Sequence, residues 1–212
     1  RSFTSDAAHE LRSPLAALKV QTDVAQLSFD DPGAQSKALG QLHAGIDRAS
    51  RLVDQLLTLS RLDSLDNLDD VEPVMMADLL QSAVLDIWHP AQQAGIDIRL
   101  NVNAPEVMRP GQPLLLSLLA RNLLDNAVRY SPRGSVVDVT LNTQSFTVRD
   151  NGPGISTDAL ARLGERFYRP PGQDATGSGL GLSIVKRIAA LHGMRVSLGN
   201  APEGGFEVTV SW

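Results

Sequence analysis

The stretch GQPLLLSLLARNLLDNAVRY (Gly111–Tyr130) decides most about the fold of this chain. Its apolar residues recur at helical spacing, which predicts a strongly apolar, buried helix. Asn122 and Asn126 lie four residues apart and therefore share one face of that helix. The simpler interpretation is two asparagines at a polar helix edge. The functional one is a Mg²⁺ site, because amide oxygens suit an ion that takes few protein ligands beside phosphates and waters. Arg129 would then face the phosphate charge.

The segments on both sides of this helix predict a two-layer α+β domain. Further helices are predicted at Met76–Gly95 and Ser183–Gly193, and His192 and Gly193 are suitable C-terminal capping residues. Alternating apolar and polar residues predict strands in IDIRLNV (96–102), SVVDVTLN (135–142), SFTVRD (145–150) and FEVTVSW (206–212). Helices interleaved with hairpin-forming strands favour helices layered on a sheet.

The first part of the chain has a different pattern, a heptad seam on two helices. The seam residues are Leu11, Leu15, Leu18, Thr22 and Ala25 in the first helix, and Leu39, Leu42, Ile46, Ala49, Val53, Leu56 and Ser60 in the second. SFDDPG (Ser28–Gly33) between them predicts a turn and hence an antiparallel helical hairpin. One hairpin buries one side of each helix, so we expect a second copy to complete a dimeric four-helix bundle.

A polar and acidic stretch, Arg61–Pro73, separates the two patterns and ends in proline. We interpret it as a linker. The predicted organisation is a helical-hairpin domain at residues 1–62, a linker at 63–74 and an α+β domain at 75–212.

The composition excludes several classes of function. The chain has 212 residues and a net charge of −5 without a dense Lys/Arg run, so nucleic acid is not an expected partner. The absence of cysteine excludes disulfides, thiolate metal sites and cysteine nucleophiles. Apolar stretches are far shorter than the roughly 18 residues that a membrane span needs. The chain begins without Met inside an amphipathic pattern, so we expect it to be part of a longer protein.

SDAAHELRSP (5–14) places a histidine outside the apolar seam. A single helical histidine is most simply a surface residue, but the neighbours of His9 suggest chemistry. Glu10 can hydrogen-bond one ring nitrogen and leave the other as a nucleophile. Ser13 lies one turn further on the same face, and Pro14 predicts a bend in the helix just beyond the histidine.

Two glycine-rich segments predict a ligand site. RDNGPGI (149–155) follows a strand and is at least a strong turn, in which Asp150 can accept a hydrogen bond from an adenine amino group. TGSGLGLSIV (176–185) precedes a helix and exposes N–H groups to a phosphate, but it is neither a Walker motif nor a dinucleotide-binding motif. Between them, ERFYRPPGQDA (165–175) has the composition of a mobile lid.

The order of these motifs resembles the kinase core of bacterial two-component sensor histidine kinases. The similarity spans nearly the whole chain, and each motif has a counterpart in that family. The counterparts are AHELRSPL (8–15) as phosphoacceptor box, NLLDNAVRY (122–130) as N box, DNGPG (150–154) as first glycine box, ERFYRP (165–170) as F box and GSGLGLSIV (177–185) as second glycine box.

The resemblance implies a role for each matching residue. His9 would accept the γ-phosphoryl group of ATP, Glu10 would act as general base or orient the ring, and the hydroxyl of Ser13 is linked to dephosphorylation of the partner regulator. The family often has Thr at position 13, so strong phosphatase activity is less expected here. Phe167 would couple the lid to the histidine helix. The implied nucleotide-binding residues are Asn122, Asn126 (also the Mg²⁺ ligand), Arg129, Tyr130, Asp150, Gly152, Gly154, Gly177, Gly179 and Gly181.

The resemblance also implies cofactors, partners and location. ATP and Mg²⁺ would be the cofactors, and the partners would be a second copy of the chain and the receiver domain of a response regulator. The chain would be the cytoplasmic portion of a bacterial inner-membrane receptor, attached to the membrane only through upstream segments.

Two other functions are compatible with parts of this pattern. The N box and glycine boxes also resemble the ATPase group that includes gyrase, MutL and Hsp90-type chaperones, but such an ATPase has no use for AHELRSP on a dimerising hairpin. A non-catalytic dimeric docking module of related fold would lack Mg-ATP binding, which nucleotide titration would reveal.

Overall fold

The computed structural model describes the backbone of residues 3–171 and 177–212, with side chains from Asp6 onward. The chain divides into two compact units, Arg1–Thr58 and Leu59–Trp212. The predicted division at residues 1–62, 63–74 and 75–212 stays a prediction. Within the described residues, no helix has both the length and the apolar character needed to cross a membrane.

The first unit is the predicted helical hairpin. Helix α1 spans Phe3–Leu27 and helix α2 begins at Pro32 and ends at Asp63, so its last residues belong to the second unit. The Asp31 carboxylate accepts hydrogen bonds from the backbone N–H groups of Gly33 (3.0 Å) and Ala34 (3.1 Å). This side chain satisfies donors that the first turn of α2 cannot pair internally, which explains why the second helix begins there.

The predicted apolar seam is only partly covered within one chain. Ala25 and Leu56 are buried, whereas Leu15, Leu39, Ile46 and Val53 remain 40–58% exposed. Exposed apolar residues at heptad positions are the pattern expected of helices that associate with further helices. The four-helix bundle formed with a second copy remains a prediction.

The second unit contains two sheets and four further helices. Its elements after α2 are β1 (Glu72–Met75), α3 (Met76–Ala94), β2 (Asp97–Val102), β3 (Met108–Gly111), α4 (Pro113–Tyr130), β4 (Val136–Asn142), β5 (Ser145–Asp150), α5 (Thr157–Arg162), α6 (Gly181–Leu191), β6 (Arg195–Asn200) and β7 (Phe206–Ser211). The main sheet has the strand order β2-β4-β5-β7-β6, parallel between β2 and β4 and antiparallel elsewhere. β1 and β3 form a separate antiparallel pair.

Helices α3, α4 and α6 pack against the main sheet. The strands alternate between buried and part-exposed residues, and Val139 and Phe146 on the buried side are almost inaccessible to solvent. The predicted fold class is confirmed: the chain is α+β, a helical hairpin followed by a two-layer α/β sandwich.

Four elements were not predicted from the sequence. β1 and β3 pair Pro73 with Pro110, and a proline in a short polar run argues against a strand because it cannot donate to the ladder. β6 is one of the two edge strands of the main sheet and has mixed polar residues, and α5 is short. α2 continues through Asp63 and β1 begins at Glu72, so residues 64–71 lie between these two elements.

His192 joins two helices of this layer and confirms the predicted cap of α6. Its Nδ1 lies 2.7 Å from the Ile188 carbonyl oxygen, and its Nε2 accepts a hydrogen bond of 3.0 Å from the Gln112 backbone N–H, directly before α4. Since Nε2 accepts, the proton of the neutral ring is on Nδ1, which donates to Ile188. One side chain therefore bonds the end of α6 to the start of α4.

We expect His192→Ala to lower the free energy of unfolding of the second unit by about 1–3 kcal/mol, because it leaves part-buried backbone groups without their partner. Trp88 and Trp212 both lie in this unit, so tryptophan fluorescence during urea denaturation reports its unfolding. His43→Ala, at an exposed position of α2 in the other unit, is the control. Equal midpoints for His192→Ala and wild type would contradict this role.

Candidate functional site

The paired asparagines of α4 face the start of α6. Asn122 donates from Nδ2 to the Leu118 carbonyl oxygen at 2.9 Å, which fixes the orientation of its amide. A methyl group added at Gly181 would lie 3.2 Å from Asn126 Oδ1 and 3.4 Å from Asn122 Oδ1. Both amide oxygens, together with Asn126 Nδ2 at 3.4 Å, therefore lie beside the first residue of α6, and the N-terminus of a helix attracts negative charge.

The end of α4 approaches the second glycine box at Gly177. The Tyr130 hydroxyl occupies the place that a β-carbon at Gly177 would take, so any larger residue there would have to displace the Tyr130 side chain. Arg129 forms an ion pair with Asp125 (2.8 Å) one turn earlier in α4 and is about a quarter exposed. The predicted N-box residues and the second glycine box are thus neighbours.

Asp150 ends β5 as a buried carboxylate, only 7% exposed. Its Oδ1 accepts hydrogen bonds from the backbone N–H groups of Gly152 (2.9 Å) and Phe206 (3.1 Å). Its Oδ2 has no hydrogen-bond partner within residues 3–171 and 177–212. One oxygen is therefore fixed by the protein, and the other is available to a donor on a ligand.

The first glycine box is held by a side chain that the sequence did not indicate. Asn200, the last residue of β6, accepts a hydrogen bond from the Ile155 N–H (2.8 Å) and donates one to the Ile155 carbonyl oxygen (2.6 Å). Gly154 has φ +77°, and a β-carbon there would lie 2.8 Å from Asn200 Oδ1. The Asn200 amide therefore pairs with both backbone groups of Ile155, as a residue of a neighbouring strand would, and fixes the path of the chain after Asp150.

The F box is bonded to the second glycine box. The Phe167 N–H donates to the Gly179 carbonyl oxygen at 3.1 Å, and Phe167 adopts φ 65°. Gly179 has φ +72°, and a β-carbon there would lie 2.7 Å from the Phe167 carbonyl carbon, so only glycine fits. Residues 172–175 of the predicted lid lie outside the described residues.

His9 and its neighbours lie in the first unit. The His9 side chain is 75% exposed, which leaves the ring accessible to other molecules. Glu10 Oε1 lies 3.9 Å from His9 Nδ1, too far for a hydrogen bond, and Nε2 is on the side of the ring away from Nδ1. Ser13 is also exposed, and α1 continues as a helix through Pro14.

The structure places the predicted nucleotide-binding residues in the second unit and His9, Glu10 and Ser13 on the hairpin. α4 packs against both β5 and α6, the elements that carry or adjoin the other predicted residues. Asn200 and the Phe206 N–H were missed because both come from strand ends whose neighbours in space are distant in sequence. The only sequence signal for Asn200 was that it is a polar residue at the end of the alternating pattern of β6.

Comparison with known families agrees with this arrangement. Residues 1–65 match the family described as His Kinase A (phospho-acceptor) domain, and residues 111–212 match the family described as histidine kinase-, DNA gyrase B- and HSP90-like ATPase. The chain belongs to the sensor histidine kinases, ATP-dependent protein-histidine kinases, and the family resemblance predicted from the motifs is confirmed.

The relatives include the sensor protein QseC of Salmonella typhimurium strain LT2 and of Escherichia coli strain K12. Each is 76% identical over 212 residues, covering 100% of this chain and 47% of the relative. The sensor protein kinase PmrB of Pseudomonas aeruginosa is 39% identical over 216 residues, covering 99% of this chain and 45% of that protein. The chain spans about half the length of these curated relatives.

Solved structures show the same fold. The cytoplasmic segment of histidine kinase QseC is 63% identical, with a TM-score of 0.58 over 79% of this chain and 93% of that chain. Histidine kinase ThkA in complex with response regulator protein TrrA has a TM-score of 0.80 over 98% of this chain and 59% of that chain, and at 18% identity it supports the fold alone.

We expect Asn200→Ala to weaken ATP binding about three- to tenfold, because part of the roughly 1–3 kcal/mol that its two hydrogen bonds contribute to holding the turn after Asp150 is lost from ligand binding. Isothermal titration with a non-hydrolysable ATP analogue measures the effect. Asn101→Ala, at an exposed position of β2, is the matched control. An unchanged dissociation constant for Asn200→Ala would contradict the role assigned to this amide.

Proposed function

We propose that this chain is the catalytic core of a sensor kinase that transfers the γ-phosphoryl group of ATP to His9 and then to an aspartate of a response regulator. The observation that carries the proposal is the convergence of the Asn122 and Asn126 amide oxygens on the N-terminus of α6. Phosphotransfer needs a nucleotide site and an acceptor group, and the exposed His9 on the hairpin would supply the acceptor.

The nucleotide would lie between β5 and the two helices. The free Oδ2 of Asp150 accepts a hydrogen bond from the adenine amino group, and its Oδ1 is held by two backbone donors. The phosphates lie towards Asn122 and the α6 N-terminus, with Arg129 and Tyr130 beside them. The glycines let the backbone approach the ligand closely; they are Gly152, Gly154, Gly177, Gly179 and Gly181.

Mg²⁺ fits the donor set at this site. Asn126 presents a neutral oxygen towards the phosphate end, and the described residues contain no cluster of three or more His, Asp or Glu able to hold a metal without a ligand. This matches an ion held by one or two protein oxygens together with substrate phosphates and water. When bound, Mg²⁺ supplies charge neutralisation of the phosphates. Asn126 is its proposed protein ligand.

His9 would act through Nε2, the nitrogen away from Glu10. The Nε2 lone pair forms a bond to the γ-phosphorus while the bond from that phosphorus to the bridging oxygen breaks, and ADP leaves. The ring then carries a positive charge, which it loses by passing the Nδ1 proton to Glu10 or to water. Glu10 thus orients the ring and stabilises the charge that develops on it.

The second transfer passes the phosphoryl group from His9 to the carboxylate of a receiver-domain aspartate. The exposure of His9 suits an acceptor that two partners must reach in turn. Ser13, one helical turn away, would orient the water that dephosphorylates the regulator. We propose further that the hairpin forms a homodimer and that the chain is the cytoplasmic portion of a bacterial inner-membrane receptor.

We expect His9→Gln to abolish incorporation of label from γ-labelled ATP while ATP binding is retained, because glutamine has no nucleophilic ring nitrogen. Acid-labile label on the protein and isothermal titration with ATP separate the two properties. His43→Gln, an exposed histidine of α2, should label like wild type. Normal labelling of His9→Gln would exclude His9 as acceptor, and absence of Mg-ATP binding by wild type at millimolar concentration would favour a docking module.

We expect Asn126→Ala to lose most of the difference between ATP binding with Mg²⁺ and ATP binding with EDTA, because the ion loses its protein ligand. The ratio of the two dissociation constants is the measurement. Asn101→Ala should keep the wild-type ratio. If Asn126→Ala keeps it as well, the ion is held by other groups.

A further inference from the structure

The end of α2 is built into the second unit. Leu59 is completely buried and Leu62 is 2% exposed, and both belong to the compact unit that contains the nucleotide-binding residues. The segment Leu59–Leu65, here called the α2 end, therefore packs as part of that unit rather than as a solvated linker. Two arginines bond to it.

The first arginine comes from the F box. Arg166 Nη2 lies 2.9 Å from Asp63 Oδ1 and 2.7 Å from Asp63 Oδ2, so one guanidinium nitrogen contacts both oxygens of the carboxylate. Asp63 and Arg166 are about one-third exposed, so solvent weakens the pair without abolishing it. The contact matters because it fixes the position of Arg166, the residue directly before Phe167.

The second arginine comes from α6. Arg187 donates from Nε to the Leu62 carbonyl oxygen (3.0 Å) and from Nη2 to the Leu65 carbonyl oxygen (2.6 Å). Its Nε also lies 4.0 Å from Asp63 Oδ1. The last carbonyl groups of a helix carry partial negative charge, which an arginine placed there offsets; the Leu62 oxygen also accepts the Leu65 N–H at 3.2 Å.

Both arginines are connected to the second glycine box, Arg166 through its neighbour Phe167 and Arg187 through helix α6. Phe167, next to Arg166, holds the Gly179 carbonyl oxygen through its N–H while it adopts a left-handed backbone conformation. Such a conformation is unfavourable for phenylalanine and persists only where the surroundings enforce it. Arg187 lies on α6, whose first residue, Gly181, faces the asparagine pair.

We propose that Asp63 is a positioning residue for the nucleotide site. Its carboxylate holds Arg166, so Phe167 and the bonded Gly179 keep the conformation that receives the phosphates. The position of the α2 end and nucleotide affinity are then linked, and each changes the other by the same free energy. This inference rests on the proposed function for its consequence in ATP binding, but the bond from Asp63 to the glycine loop can be tested without nucleotide.

The first test measures amide hydrogen exchange of the nucleotide-free protein. We expect Asp63→Ala to speed exchange at the Phe167 N–H about three- to tenfold, and Asp63→Glu to restore part of the protection. Asp66→Ala, an exposed acidic residue between α2 and β1, should leave it unchanged. Unchanged exchange in Asp63→Ala would overturn the proposal, whether or not the chain binds ATP.

The second test measures kinetics and affinity. Asp63→Ala should raise KM for ATP about three- to tenfold in autophosphorylation and leave the rate at saturating ATP nearly unchanged, because the chemical groups are intact. In titrations with ADP, Arg166→Ala should weaken binding to a similar extent, and the double variant should be no weaker than either single variant. Fully additive effects, or a loss confined to the saturated rate, would contradict the assignment.

The two tests separate the possible failures. If the wild-type chain binds no ATP but Asp63→Ala still speeds exchange at Phe167, the proposed function fails and the structural link stands. If wild type binds ATP and Asp63→Ala changes neither exchange nor KM, the link fails and the proposed function stands. Urea denaturation followed by tryptophan fluorescence confirms that Asp63→Ala folds.

Discussion

Helix α4 carries the constraint on which the second unit depends, because it must bury one face and present polar groups on another. Leu119, Leu123 and Leu124 are almost inaccessible within the layer of helices, and burial of such side chains is the main driving force for folding. The Asn122 and Asn126 amides then point towards α6 only because the buried face fixes the rotation of the helix. A shift of one residue along α4 would turn these amides away from Gly181, so packing and ligand geometry are not independent.

Whether a feature could be predicted from the sequence depends on how far apart in the chain its interacting residues lie. Periodicity within a segment predicted α3, α4, α6 and the strands β2, β4, β5 and β7, since burial on one face leaves a regular pattern. β1 and β3 escaped prediction because each contains a proline and is stabilised by its partner rather than by its own pattern. Motif order predicted the site residues, and their roles remain proposals. Asn200 and Asp63 could not be found this way, because they act on Ile155 and Arg166 across long sequence separations.

The two groups of candidate residues differ in their exposure to solvent, and the difference suits their chemistry. Asp150 is buried, which suits its proposed role, because recognition of a base edge gains strength and selectivity where water cannot compete for the same hydrogen bonds. His9 is exposed, which suits the proposed phosphoacceptor, because a group that first receives and then donates a phosphoryl group must be approached by two different partners. Burying His9 would protect the phosphorylated ring from water but would also block the second transfer.

Helix α6 contacts the candidate nucleotide-binding residues at its start and other parts of the second unit through side chains in its middle. Its first residue lies against the asparagine pair, and two adjacent basic residues in its middle bond to carbonyl groups near the ends of two other helices. Lys186 donates to the Leu163 carbonyl oxygen just after α5, and Arg187 donates to the Leu62 and Leu65 carbonyl oxygens at the α2 end. The helix whose N-terminus we propose to bind phosphate is thus also bonded to two segments that are distant from it in sequence.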